Sequence, residues 1–167
     1  MLALPLHAPS HCQQSTCLQD KEETIAPPTP VTILIIDDEP GIVSALAGLL
    51  ERHGYIVSTA GNGALAWEHL HTQRDDVILC DMLMPEVDGQ AFYTMLQGHD
   101  PSLCARVIFL TGDTLGEAST AFLHQCGQPW LFKPCGAAEV LRAIEQVLGG
   151  TDDPHTGRLT EQLGASP

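Results

Sequence analysis

The chain has 167 residues, enough for one domain with a sizeable core plus flanks, and no apolar run approaches the roughly 20 residues of a membrane span. A formal charge of -14 argues against a nucleic-acid phosphate backbone as partner, and favours divalent cations or basic protein surfaces. Six cysteines are scattered without paired metal-ligand spacing. Cys80 and Cys104 lie in or beside apolar runs, where a reduced thiol acts as a small hydrophobe, so a reducing cytoplasmic compartment is expected.

In chain order, Met1 to Ala8 is apolar but lacks the basic start and the length of a secretory signal. Residues 9 to 30 run through Ser, Gln, Thr and Pro without period, so residues 1–30 read as a flexible leader or linker. Cys12 and Cys17 sit there with no second ligand pair nearby. Val31 to Ile36 is a nearly continuous β-branched and aliphatic run, the mark of a strand buried on both faces. Pro40 then suits the first turn of a helix whose apolar residues Ile42, Leu46, Leu49 and Leu50 repeat up to Gly54.

The alternation continues. Tyr55 to Ala60 is a second strand and Leu65 to His71 a helix with Trp67 and Leu70 on its apolar stripe. Val77 to Cys80 is a third strand, followed by a loop and a helix around Phe92 to Leu96. Val107 to Leu110 is a fourth, followed by a helix around Glu117 to Gln125. Trp130 to Phe132 precedes a last helix with Val140, Leu141, Ile144, Val147 and Leu148 on one stripe. A domain over residues 31–149 and a flexible tail over 150–167 complete the expectation.

Five strands alternating with five helices imply an α/β fold, a parallel sheet covered on both faces with right-handed crossovers. Ligands bind such sheets at the carboxyl ends of the strands, where strand order reverses. Asp37 and Asp38, Asp81 and Thr111 stand at those ends of strands one, three and four, and Lys133 follows strand five. If the strand order is 2-1-3-4-5, an assumption at this level, the first and third strands are neighbours and their carboxylates converge. Carboxylates about 4 Å apart repel by roughly 4 kcal/mol at an effective dielectric of 20, so crowded acids shift their pKa values or recruit a cation. Magnesium suits such a set, and a hydroxyl and an ammonium beside it suit phosphoryl oxygens.

Taken singly, each residue has a plainer reading. Asp37, Asp38 and Glu39 suit a solvated loop before a helix N-terminus, Asp81 a strand-end turn, Thr111 a strand interior and Lys133 a surface charge. Trp67 reads as core, and the eight histidines show no ligand spacing.

Together, ILIIDDEP (33–40), DVILCDMLMPEVDG (76–89), VIFLTGD (107–113) and FKP (132–134) resemble the receiver domain of response regulators in two-component and phosphorelay signalling. The resemblance spans the whole expected domain and implies a flavodoxin-like (βα)5 doubly wound sheet of order 2-1-3-4-5. It makes Asp81 the phosphoacceptor, with Asp37, Asp38, Asp81 and the Leu83 carbonyl holding Mg2+, or alternatively Mn2+. It also implies that Thr111 and Lys133 bind the phosphoryl oxygens, with a cis peptide after Lys133. Thr111 and Trp130 would be the switch residues, although Trp130 also reads as core.

The implied partners are a histidine kinase or histidine phosphotransfer protein and a downstream protein target, with no nucleic acid and no membrane. The expected output face comprises helix 4, strand 5 and helix 5, which could also form a homodimer. GQPWLFKP further resembles receivers attached to hybrid histidine kinases, and with no output domain after residue 149 a single-domain regulator or relay step is expected. Such a protein is no enzyme beyond its own phosphorylation and dephosphorylation.

Departures bear on rate. Gly112 leaves the aspartate accessible, Leu83 could hinder an attacking water, Asp113 could orient one, and Cys135 stands where phenylalanine is common. Three other readings remain at this level. A haloacid-dehalogenase-type phosphatase wants an aspartate where Leu83 stands, and a flavin binder wants a Ser/Thr/Gly-rich loop in place of DDEP. A scaffold that is never phosphorylated is the third.

Overall fold

A computed structural model describes residues 29–112 and 116–149. The expectations for the leader, Cys12, Cys17, Asp113 and the tail after Gly149 lie outside these residues. The elements are β1 (Thr32–Ile36), α1 (Pro40–Arg52), β2 (Ile56–Ala60), α2 (Gly63–Thr72), β3 (Val77–Asp81), α3 (Gly89–His99), α4 (Pro101–Cys104), β4 (Val107–Thr111), α5 (Glu117–Cys126), β5 (Trp130–Phe132) and α6 (Ala137–Gly149).

All five strands pair in parallel in the order β2-β1-β3-β4-β5, the order assumed from the sequence. The three central strands are the continuous apolar runs because each is covered on both faces. Ile33 and Ile35 of β1 pack with Leu46 and Leu50 of α1 and with Val140 and Ile144 of α6. Leu34 and Ile36, turned the other way by the period of two, pack with Ala66 of α2, Phe92 and Leu96 of α3, and Leu123 of α5. The edge strand β2 leaves Ile56 half exposed, which explains its weaker apolar signal.

The sequence reading placed five helices, and the described residues contain a sixth element, the single turn α4. Asp100 ends α3, and its carboxylate accepts from the Ser102 N–H at 3.1 Å, while Pro101 opens the next turn. Four residues carry too little periodicity to be read. The helices expected as fourth and fifth are therefore α5 and α6.

Side-chain caps set the starts of α2 and α3. Asn62 accepts from Leu65 N at 2.9 Å to begin α2, and Asp88 accepts from Ala91 N at 2.7 Å to begin α3. Pro40 occupies the first turn of α1. The Lys133–Pro134 peptide is cis. No helix of the described residues is long and apolar enough to cross a membrane.

A candidate acidic site for a cation and a phosphoryl group

Register brings the site together. Ile36 pairs with Cys80, so the next residues, Asp37 and Asp81, emerge side by side. Thr111 pairs with Phe132, so Lys133 follows at the same end of the sheet, its N–H donating to the Thr111 carbonyl at 2.6 Å. Asp37, Asp81 and Thr111 are buried, whereas Asp38 is exposed at the rim.

Lys133 is the site's cation. Its ammonium donates to Asp37 Oδ2 at 2.6 Å and lies 3.0 Å from Asp81 Oδ1. The other Asp37 oxygen accepts from the Glu39 N–H at 2.9 Å, and the Asp37 N–H donates to the Ala60 carbonyl at 3.1 Å. Asp37 is thus held at both carboxylate oxygens and at its backbone. Burial pushes the Asp81 carboxyl up and the Asp37 charge adds to that, against the opposing pull of Lys133. Burial alone would lower Lys133, but its bonds to Asp37 and Asp81 outweigh it and hold the ammonium above its ordinary value.

Three carboxylates against one ammonium leave the cluster two charges negative. Asp37, Asp38 and Asp81 each offer an oxygen, all within 4.8 Å of one another. An all-oxygen set of this size, open to solvent at Asp38, fits a hard divalent cation.

The other predicted residues differ in burial and surroundings. The Leu83 side chain is half exposed just beyond Asp81. Thr111 is fully buried, its hydroxyl donating weakly to the Gly112 carbonyl at 3.3 Å. Trp130 is part-buried on β5, not enclosed in the core, with its ring edge-on to Phe132 at 4.9 Å and to His124 at 6.1 Å. Cys135 is part-buried against the cluster of α1 and α6. Trp67 is also part-buried, packing at the core's margin against His71 and His99.

Two supports escaped the sequence reading. A Cβ on Gly89 would come within 2.5 Å of the Asp81 carbonyl, so α3 starts against the backbone of β3. Asn62 reaches across to the loop after Asp81, donating from Nδ2 to Glu86 Oε2 at 3.1 Å. The small residue after Asp88 and the Asn before a helical run were the available signals.

Comparison with known proteins agrees with this architecture. The response regulator receiver domain family matches residues 33–145. The probable transcriptional regulatory protein TcrX of Mycobacterium tuberculosis is 31% identical over 136 residues, covering 81% of this chain and 55% of TcrX. The chain thus spans about half the length of that relative. The signal receiver domain of a signal transduction histidine kinase from Syntrophus aciditrophicus is 32% identical with a TM-score of 0.66, covering 74% of this chain and 93% of that one. A CheY-like receiver domain protein from Methanospirillum hungatei, 22% identical, shares the fold at a TM-score of 0.66 over 73% of this chain and 96% of its own. By its matched residues and its sheet, this chain belongs to the response regulator receiver domain family.

Proposed function

We propose that the chain is a phosphoacceptor that takes a phosphoryl group onto Asp81 from the phosphohistidine of a histidine kinase or a histidine phosphotransfer protein. The observation that carries the reading is the convergence of Asp37, Asp38 and Asp81 within 4.8 Å beside the Lys133 ammonium.

Asp37, Asp38, Asp81 and the backbone carbonyl of Leu83 are the groups that would hold Mg2+, with Mn2+ as an alternative. Bound there, the ion would offset the repulsion between the Asp81 carboxylate and an incoming phosphoryl group. An Asp81 carboxylate oxygen attacks phosphorus, the P–N bond breaks, and its electron pair returns to the imidazole nitrogen of the donor. Lys133 would pair with the transferred group's oxygens, exchanging its contact with Asp81 for one with the phosphoryl group. Thr111 would turn its hydroxyl toward the same oxygens, giving up its 3.3 Å bond to Gly112.

Movement of Thr111 would free space for Trp130 to turn inward, changing the face built by α5, β5 and α6. That face would meet a downstream protein or a second copy of the chain. The folded unit carrying this function is residues 31–149, and the high acidity suits basic protein surfaces.

The test is intact mass after incubation with acetyl phosphate, with and without magnesium, alongside Asp81→Asn. A single magnesium-dependent phosphoryl adduct, absent in the variant, is expected. Magnesium binding with no adduct from acetyl phosphate or a phosphorylated histidine donor would replace this reading with an unphosphorylated scaffold.

A further inference from the structure

The turn between β2 and α2 touches both acid-bearing loops. On one side the Ala60 carbonyl accepts from Asp37 N–H at 3.1 Å. On the other, Gly63 N–H donates to the Val87 carbonyl at 3.2 Å, and Asn62 Nδ2 donates to Glu86 Oε2 at 3.1 Å. We infer that Asn62 is a positioning residue of the acidic site, acting through Glu86 to hold the segment from Asp81 to Gly89 that would offer the Leu83 carbonyl to a cation. This rests on the phosphoacceptor reading above.

The segment needs such a tie. Its ends are fixed, because Met82 N–H donates to the Leu110 carbonyl at 2.9 Å and Gly89 N–H to the Met82 carbonyl at 3.2 Å. Between them, Leu83 is half exposed and gains little hold from packing, while Met84 is buried. Glu86 has φ of 66°, a left-handed conformation that side chains other than Gly, Asn and Asp seldom adopt. Such a conformation persists where the surroundings over-determine it. The Val87 N–H closes the turn across Glu86 by donating to the Pro85 carbonyl at 2.8 Å, and the Glu86 carboxylate bonded to Asn62 and the Val87 carbonyl bonded to Gly63 add the constraint from outside the segment. Gly63 also packs so closely that a Cβ there would come within 2.7 Å of Val87 Cγ1.

One Asn side chain performs two tasks, since its Oδ1 caps α2 while its Nδ2 reaches Glu86. The tasks separate by substitution. Asn62→Ser keeps a capping oxygen but is too short for Glu86. Glu86→Ala removes the acceptor. Glu86→Gln keeps an acceptor oxygen and removes the charge.

Titration calorimetry with MgCl2, together with thermal unfolding, decides the matter. Asn62→Ser and Glu86→Ala are expected to weaken magnesium binding about threefold to tenfold, below the losses at buried outer-shell partners because this bond is solvent-exposed. Glu86→Gln is expected to bind as the parent does, and the double variant Asn62→Ser/Glu86→Ala no worse than either single one. The thermal midpoint of metal-free Asn62→Ser should stay within about 2 °C of the parent. Parental affinity in Asn62→Ser, or a loss in Glu86→Gln as large as in Glu86→Ala, overturns the role of Asn62 and leaves the phosphoacceptor reading standing. A parent that binds no magnesium overturns both.

Discussion

Lys133 sits closer to Asp37 than to Asp81, 2.6 Å against 3.0 Å, so one ammonium bridges two buried carboxylates. Removing it would leave those carboxylates facing each other, and breaking a fully buried pair costs 3–5 kcal/mol. Lys133 retains 17% exposure, so Lys133→Met is expected to lose less, about 2 kcal/mol, in metal-free protein. Magnesium should restore part of that loss. Thermal midpoints with and without magnesium check this, and an equal magnesium gain in parent and variant would show that the ammonium and the ion do not share a role.

Asp81 is the strained member of the set. Its carboxyl is raised by burial, so the folded state disfavours its ionised form. The sign follows: a raised folded value contributes stability at pH below the unfolded value near 3.8, and that contribution is lost as pH rises through the folded value. At neutral pH ionised Asp81 therefore costs stability. Asp81→Asn, which leaves Lys133 its bond to Asp37, should raise the metal-free thermal midpoint by about 4 °C, the effect of roughly 1 kcal/mol in a domain of this size. A lower midpoint in the variant would mean that the Lys133 contact outweighs desolvation.

The alkaline limb has the opposite owner. Lys133 is held above its ordinary 10.5, so its contribution is complete below that pH and is lost as pH rises through the folded value. As pH rises above 10.5, the parent should lose more stability in urea unfolding than Lys133→Met does, whereas below 10.5 the difference between the two should stay constant. The Tyr93 hydroxyl, pushed up to about 12 by burial, is present in both proteins and cancels in the comparison. Parallel pH profiles for the two proteins would be evidence against the assignment.

Two α3 glycines give contrasting expectations. Gly89→Ala would push a Cβ against the Asp81 carbonyl and to 3.0 Å from Met82 Cα, backbone atoms that cannot swing away. A loss of about 1–3 kcal/mol and reduced phosphoryl uptake are expected. Gly98→Ala meets nothing within 4 Å and should gain about 0.5 kcal/mol through helix propensity. Chemical unfolding of both variants measures the difference, and equal effects would count against the close approach at Gly89.

The sequence was most legible where burial is symmetric. β1, β3 and β4 read as apolar runs because helices cover both their faces, and the length of those runs located Asp37, Asp81 and Thr111 at the strand ends. The edge strands β2 and β5 were fainter, having neighbours on one side only. α4 was not legible, because its start depends on one Asp100 cap and its four residues show no period.

Contacts between distant segments were least legible. Lys133 and Asp37 are 96 residues apart, and nothing in their spacing says that this carboxylate is the nearer one. The Asn62–Glu86 tie was hidden for the same reason, since an Asn before a helix reads as a cap and its second hydrogen bond depends on a loop 24 residues away.

The sequence by itself determined the order of elements and the acids, hydroxyl and lysine that end the strands, because burial periodicity and helix-start chemistry are local properties of the chain. Only the tertiary structure decided that β1 lies between β2 and β3, that Asp37 therefore stands beside Asp81, and that Lys133 bridges them. Those choices belong to crossovers and long-range packing, whose energies depend on which faces meet after the local elements have formed.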